Sequence, residues 1–284
     1  MLVVRRLLGR LSAAITAMLL TSPALAADPV FDMHVHLHKG AESLRAYEAS
    51  IAGTGVTGAG LMWFGGPNHV PPGDMASTRK GNDGIIALAA SKPGLIPIVT
   101  VHPYDGEAAL RELERVRKRG AKVLKIHSHT QRFDAADPRV LALVRKAGDL
   151  GMVVLMDNAS IVPGDNQKLL NIALETPKTN FIFAHIGGLD FRFWNILKLA
   201  RTAENLVGNN IYFDASTAPL MADSPLEAEF VWTLRNVGID YVLFGSDYPQ
   251  LSVKDSLDAL NRLGLTDEEL AKIRYGNAKR LFGL

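Results

Sequence analysis

From Val30 onward, short apolar runs alternate with longer stretches in which apolar residues recur at three- and four-residue steps. That alternation predicts β-α units and a parallel sheet, because a strand covered on both faces reads as a continuous apolar run while its crossover helix keeps a 3.6-residue period. Eight runs are present: VFDMHVH (30–36), VTGAGLMWF (56–64), LIPIVTV (95–101), KVLKIH (122–127), MVVLMD (152–157), FIFAH (181–185), IYFDA (211–215) and YVLFGSD (241–247). Between them, segments such as GEAALRELERVRKRG and PRVLALVRKAGDLG carry helical periodicity and close on a glycine. Eight strand-helix units in about 250 residues is the size of an α/β protein of the (β/α)8 TIM-barrel type. An open doubly wound sheet uses the same units, but the glycine-rich phosphate turn that follows its first strand is missing from FDMHVHLHKG. A single barrel domain over residues 27–284 is expected.

In a TIM barrel the working side chains stand at the C-terminal ends of the strands. The residues with chemistry fall there: His34 and His36 on the first strand, His102 after the third, Lys125 and His127 on the fourth, then Asp157, His185, Asp214 and Asp247 on the fifth to eighth. Side chains alternate along a strand, so His34 and His36 are expected to point together into the mouth, with Asp32 below them and Val35 turned outward. Two imidazoles a few ångströms apart on a rigid strand are half of a divalent metal site. Asp247 closes the eighth strand beside the first, where it can bind the ion and accept a proton from metal-bound water. His185, followed by a Gly-Gly turn, is a ligand or a general acid/base. Lys125 and His127 are candidates to anchor a substrate carboxylate or carbonyl, the other reading of Lys125 being a buried salt bridge with Asp32 or Asp157. His102 and Trp63 are expected to line the substrate pocket, although a histidine before Pro103 also suits a structural turn. His129 is expected at the rim, and Asp214 as a support for the site or a loop cap. Ser216 and Ser246 lack a nucleophile-elbow context.

Composition narrows the chemistry. The chain has 284 residues, 48% hydrophobic and 21% charged, an ordinary globular balance, and no cysteine, so metal ligands must be His and carboxylate. Residues 1–26 differ from the rest: Arg5, Arg6 and Arg10 precede an uncharged run ending in Ala24-Leu25-Ala26, the order of a secretory signal, which places the protein in the periplasm or outside the cell. Cleavage there removes three of the 31 Lys+Arg and none of the 29 Asp+Glu, leaving a net charge of −1. The remainder has no clustered basic face for nucleic acid and no stable membrane insertion is expected of it. The expected partner is a small-molecule substrate, and a homo-oligomer stays open.

Taken together, Asp-x-His-x-His at residues 32–36, Ala-His-x-Gly-Gly at 184–188, Phe-Gly-Ser-Asp-Tyr-Pro at 244–249 and the terminal Tyr-Gly-Asn-Ala-Lys-Arg-Leu-Phe-Gly-Leu resemble the amidohydrolase superfamily, in its amidohydrolase-2 branch. That branch includes aminocarboxymuconate-semialdehyde decarboxylase and various lactone and ester hydrolases. The resemblance implies a distorted TIM barrel with one divalent metal ion, usually zinc. Family members commonly place a metal-binding His at the end of strand five, where this chain has Asp157. Three readings follow: Asp157 ligates through oxygen and shifts preference toward harder metals such as manganese, the third imidazole comes from His127 or His185, or metal binding is weakened. The leading expectation is a hydrolase that activates water against an ester, lactone or amide carbonyl, with His34, His36, Asp157 and Asp247 on the metal and His185 and Asp247 moving protons. The alternatives are a metal-dependent nonoxidative decarboxylase and a metal-depleted barrel acting as a binding protein.

Overall fold

The computed structural model describes residues 29–204 and 206–284, so the segment expected to be cleaved lies outside the described residues. Eight strands follow one another around the sheet in chain order, each parallel to the next: β1 (Val30–His36), β2 (Val56–Met62), β3 (Leu95–Thr100), β4 (Val123–Ile126), β5 (Val153–Met156), β6 (Phe181–Phe183), β7 (Ile211–Asp214) and β8 (Val242–Leu243). The last returns to the first through Met33 N–H to Phe244 O at 3.0 Å and His36 N–H to Tyr248 O at 2.8 Å. This is a (β/α)8 TIM barrel.

The helices form where the periodicity places them. Glu107–Lys118 buries Ala109, Leu113 and Val116 on one stripe and ends in Arg115, Arg117 and Lys118, which complement the helix dipole. Pro138–Asp149 starts from Asp137, whose side chain accepts from Arg139 N–H, with a proline in its first turn. Burial divides into two cores. Phe31, Met33, Ile98, Val123, Leu155, Ile182, Tyr212 and Leu243 fill the barrel interior, and Ala278 and Phe282 of the C-terminal helix Asn277–Phe282 join them. Val35, Leu61, Val99, Leu124, Val154, Phe183 and Phe213 pack outward against the helix layer.

Alternation carries the interior face of most strands straight into the mouth: Val123 leads to Lys125, Leu155 to Asp157, and Tyr212 to Asp214. β1 departs from that rule. Its pairing with β2 slips between Asp32 and Val35, which stand opposite Ala59 and Leu61, so β1 spends one residue more than its partner. Phe31 and Met33 therefore face inward before the bulge, and His34 and His36 after it. The expected placement of Asp32 on the histidines' face is corrected accordingly: its carboxylate lies on the outer side, against Tyr47 and Ser246. Gly60 of β2 makes room for the crowded inner side, since a Cβ there would sit 2.8 Å from Met33 O and 2.9 Å from Ile98 Cδ1.

Beneath β6 and β7, the fully buried Trp194 stacks on Phe183 at 5.1 Å between centroids, meets Phe213 edge-on at 4.9 Å, and donates its indole N–H to Asn158 Oδ1 at 2.8 Å. Asn158 follows Asp157 directly, so this cluster ties the packing of β6 and β7 to the loop that carries a mouth carboxylate. Trp194→Ala should lower unfolding free energy by about 3–5 kcal/mol, and Trp194→Phe by about 1–3 kcal/mol through the orphaned Asn158; urea denaturation midpoints check both.

Candidate active site

At the C-terminal end of the strands opens a cavity of about 430 Å³ whose walls include His34, His36, Lys125, Asp157, His185 and Asp247. His34 Nε2 lies 3.2 Å from His36 Nε2, and Asp247 Oδ1 lies 3.3 Å from each. The outer nitrogens decide what these atoms offer. His34 Nδ1–H donates to Asp214 Oδ2 at 2.9 Å and His36 Nδ1–H to the Phe64 carbonyl at 2.6 Å. Both partners only accept, so each neutral imidazole turns a bare Nε2 lone pair inward. Burial, with the charge of Lys125, pulls the His34 pKa down against Asp247 and Asp214, which favours the neutral ring. Burial pushes Asp247 up, but the charge that His34, His36 and His185 carry when protonated, with a hydrogen bond from His36, brings its pKa to about 2.

Two lone pairs and one carboxylate oxygen thus converge with no hydrogen among them. Donors held about 2.0–2.2 Å from one ion at tetrahedral to octahedral angles stand about 2.9–3.5 Å apart, and the three edges observed fall in that range. The set fits a divalent cation. His34, His185 and Asp214 also bring ligand-type atoms within 4.8 Å, but hydrogen bonds account for them: Asp214 Oδ2 receives the His34 ring, and Oδ1 receives His185 N–H at 2.9 Å and Ser216 Oγ–H at 2.6 Å. Burial pushes the Asp214 pKa up, and these contacts hold it well below the usual carboxylate range.

Across the mouth stands a second arrangement. Asp157 Oδ1 lies 3.3 Å from His185 Nε2 and 3.4 Å from His127 Nε2, and Asp157 is outside both groups of converging ligand atoms. Ser216 spends its hydroxyl hydrogen on Asp214 and so accepts from His185 Nδ1–H at 2.7 Å. With Nδ1 protonated, His185 Nε2 faces a carboxylate and also gains from carrying a proton. Burial opposes that charge, yet the bond to Asp157, followed by the charges of Asp214, Asp157 and Asp247, raises the His185 pKa above its ordinary 6.5. His127 differs: its Nδ1 accepts from Thr130 N–H, and burial brings its pKa to about 4, so it is neutral and donates Nε2–H toward Asp157. His185 itself sits in a run of four left-handed residues, with φ of 64° at His185, 43° at Ile186, 89° at Gly187 and 57° at Gly188. The two non-glycine members spend backbone strain to aim that ring.

Lys125 is buried in the cavity wall. The salt bridge considered for it with Asp32 or Asp157 is not formed, since no carboxylate comes within ion-pair distance of its ammonium among the described residues. Burial lowers its pKa, and the charges of Asp157, Asp214 and Asp247 oppose that. His102 and Trp63 stand outside this cavity's walls. His102 donates Nε2–H to Gln131 O at 2.8 Å and accepts from Tyr104 N–H at Nδ1, capping the turn Pro103–Asp105, and Trp63 donates to Asn82 Oδ1 at 3.0 Å. The hydrogen bonds of Ser216 had no signal in the sequence beyond its place two residues after Asp214. Ile161, Leu189 and Leu220, apolar residues 60–67% exposed at the rim of the same cavity, were not singled out either.

The model of a family described as Amidohydrolase matches residues 31–284, and the chain belongs to this family, in the amidohydrolase-2 branch, whose members are enzymes. Among solved structures, a Staphylococcus aureus protein described only as a candidate amidohydrolase superposes with a TM-score of 0.72 at 21% identity, over 90% of this chain and 100% of that one. A 5-carboxyvanillate decarboxylase from Sphingomonas paucimobilis gives 0.69 at 15% identity, over 91% and 100%. A dihydroxybenzoic acid decarboxylase from Polaromonas sp. JS666, with bound manganese and 2-nitroresorcinol, gives 0.68 at 16% identity, over 90% and 97%. No curated protein matches the chain.

Metal titration of the purified protein tests the donor set. After manganese loading the wild type should hold about one equivalent, and His34→Ala or Asp247→Asn below about a tenth. Asp214→Asn, which disturbs only the orientation of His34, should weaken affinity by about 10–100-fold without abolishing it. Asp157→Ala should keep its metal; a loss equal to that of Asp247→Asn would make Asp157 a fourth ligand.

Proposed function

We propose that the protein is a metal-dependent nonoxidative decarboxylase, a carbon-carbon lyase acting on a small aromatic or conjugated carboxylic acid. His34, His36 and Asp247 hold one divalent ion, and the manganese bound in decarboxylases of the same fold supports manganese as that ion. The observation that carries this reading is the proton inventory of His185. Replacing a carboxylate by hydrogen consumes a proton at carbon, and the site holds one ready on an imidazolium between Asp157 and Ser216. The decarboxylases that share the fold support the lyase reading, and the hydrolase expected from the sequence has the weaker support.

A divalent ion held by His34, His36 and Asp247 would supply Lewis-acid chemistry for an oxygen-bearing substrate. Lys125 pairs with the substrate carboxylate, which gives the buried ammonium the anion it lacks. His185 transfers its Nε2 proton to the carbon bearing that carboxylate. The carbon-carbon bond then breaks, its electron pair returning to the conjugated system, and carbon dioxide departs. Asp157, fixed also by His127, keeps the neutral His185 ring in place until solvent returns the proton. The Arg-led apolar segment ending at Ala26 supports a periplasmic or secreted location.

With manganese bound, incubation with 2,6-dihydroxybenzoate and 5-carboxyvanillate should release carbon dioxide in step with loss of acid. Acid release from a lactone or ester panel without any carbon dioxide would establish the hydrolase instead. His185→Gln should lower kcat by about 10²–10⁴-fold with metal content unchanged. Because the proton donor's pKa is raised above 6.5, kcat should hold at pH values where a free histidine is already neutral and fall as pH climbs through the raised value. Asp157→Asn removes the main support for that charge, so the falling limb of its pH-rate profile should move to lower pH.

A further inference from the structure

A second cavity, of about 800 Å³, adjoins the first, and Thr130 stands in the wall of both. It is walled by the segment from His69 to Pro72 after β2, by His102 and Tyr104 after β3, and by His129 to Arg132 in the turn after β4. The ring nitrogens of His102 are committed to Gln131 and Tyr104. Those of His69 and His129, and the guanidinium of Arg132, have no hydrogen bond or ion pair among the described residues.

No Asp or Glu lines this cavity. Of the nearby carboxylates, Asp105 receives Gly73 N–H through Oδ1 while its Oδ2 has no partner, Asp165 interacts with His129 through its charge, Asp134 pairs with Lys168, and Asp137 pairs with Arg139, whose guanidinium lies 3.6 Å from the Tyr104 ring centroid. Arg132 is exposed, and none of these carboxylates pairs with its guanidinium. Arg132 also closes the one-turn helix Ser128–Gln131 in a left-handed conformation, φ 56° and ψ 51°, a position that favours glycine or asparagine. The chain keeps an arginine at that strained corner, where it lines the cavity.

We infer that this second cavity is an anion subsite for the far end of an elongated substrate, receiving a second oxyanion such as a carboxylate or sulfonate on Arg132, His129 and His69 while the reacting carboxylate occupies the metal cavity. A planar oxyanion can take two N–H bonds from a guanidinium and a third from an imidazole, which makes arginine the natural anchor. The inference rests on the reading that the metal cavity takes one acid group, and its test measures binding alone.

Isothermal titration of the manganese-loaded full protein would compare benzoate with 3-carboxybenzoate and 3-sulfobenzoate, and biphenyl-4-carboxylate with biphenyl-4,4'-dicarboxylate. In the wild type at least one doubly anionic probe should bind about tenfold more tightly than its singly anionic parent. In Arg132→Gln and His129→Gln that gap should shrink to below about threefold, with the parents' affinities unchanged. The carboxylate and sulfonate arms show which oxyanion is preferred. No wild-type advantage for any doubly anionic probe, or an advantage that survives in both variants, overturns the subsite. A protein that releases no carbon dioxide yet shows the Arg132-dependent gap would sink the lyase reading and leave the subsite standing.

Discussion

The buried carboxylate of Asp32 is the seam on which the barrel closes. β8 pairs regularly over only two residues, so beyond Leu243 the edge of the sheet needs other partners. Asp32 supplies them, accepting Ser246 N–H at 2.9 Å, Ser246 Oγ–H at 2.6 Å, Tyr47 O–H at 3.1 Å and His34 N–H at 3.2 Å. Ser246 precedes Asp247, and His34 is one of the two metal-facing histidines. A single side chain on the outer side of β1 thus sets the distance between the two halves of the donor set. Burial raises the Asp32 pKa to about 6 against those four hydrogen bonds. An acid whose folded pKa lies above its unfolded value favours folding most while protonated, so this contribution declines as pH rises from about 4 through about 6.

The mouth separates two proton states of one residue type. His34 and His36 spend their only ring proton outward and offer lone pairs, whereas His185 has acceptors at both nitrogens, which favours a second proton. Asp214 stands between the arrangements, bonded to the His34 ring through one oxygen and to the backbone of His185 through the other. The donor set and the His185 ring are consequently positioned by the same carboxylate, which keeps the two from being placed independently.

Much of this was legible in the sequence, for reasons that also mark its limits. Apolar runs located all eight strands to within a few residues, and the strand-end rule put His34, His36, Lys125, His127, Asp157, His185 and Asp247 around one cavity. Simple alternation misplaced Asp32, because a bulge leaves no mark in residue composition. His102 sat at a strand end like the others, but Pro103 after it began a short helical turn that consumed its ring nitrogens. The partnership of Asp157 with His185 and His127 joins three different strand ends, and no local spacing encodes such contacts. The proposal of a lyase draws on which ring nitrogens face acceptors, a property of the hydrogen-bond network and not of the motif.

The bulge in β1 gives the metal half-site an unusual kind of fragility. Up to Met33 the odd-numbered residues face the interior, and from His34 the even-numbered ones do. Regular alternation through that slip, with every residue retained and none left unpaired, would preserve a strand along β2, yet it would swing both imidazoles into the helix layer. A single unpaired residue separates a sheet that only stands from one that can hold an ion at its mouth.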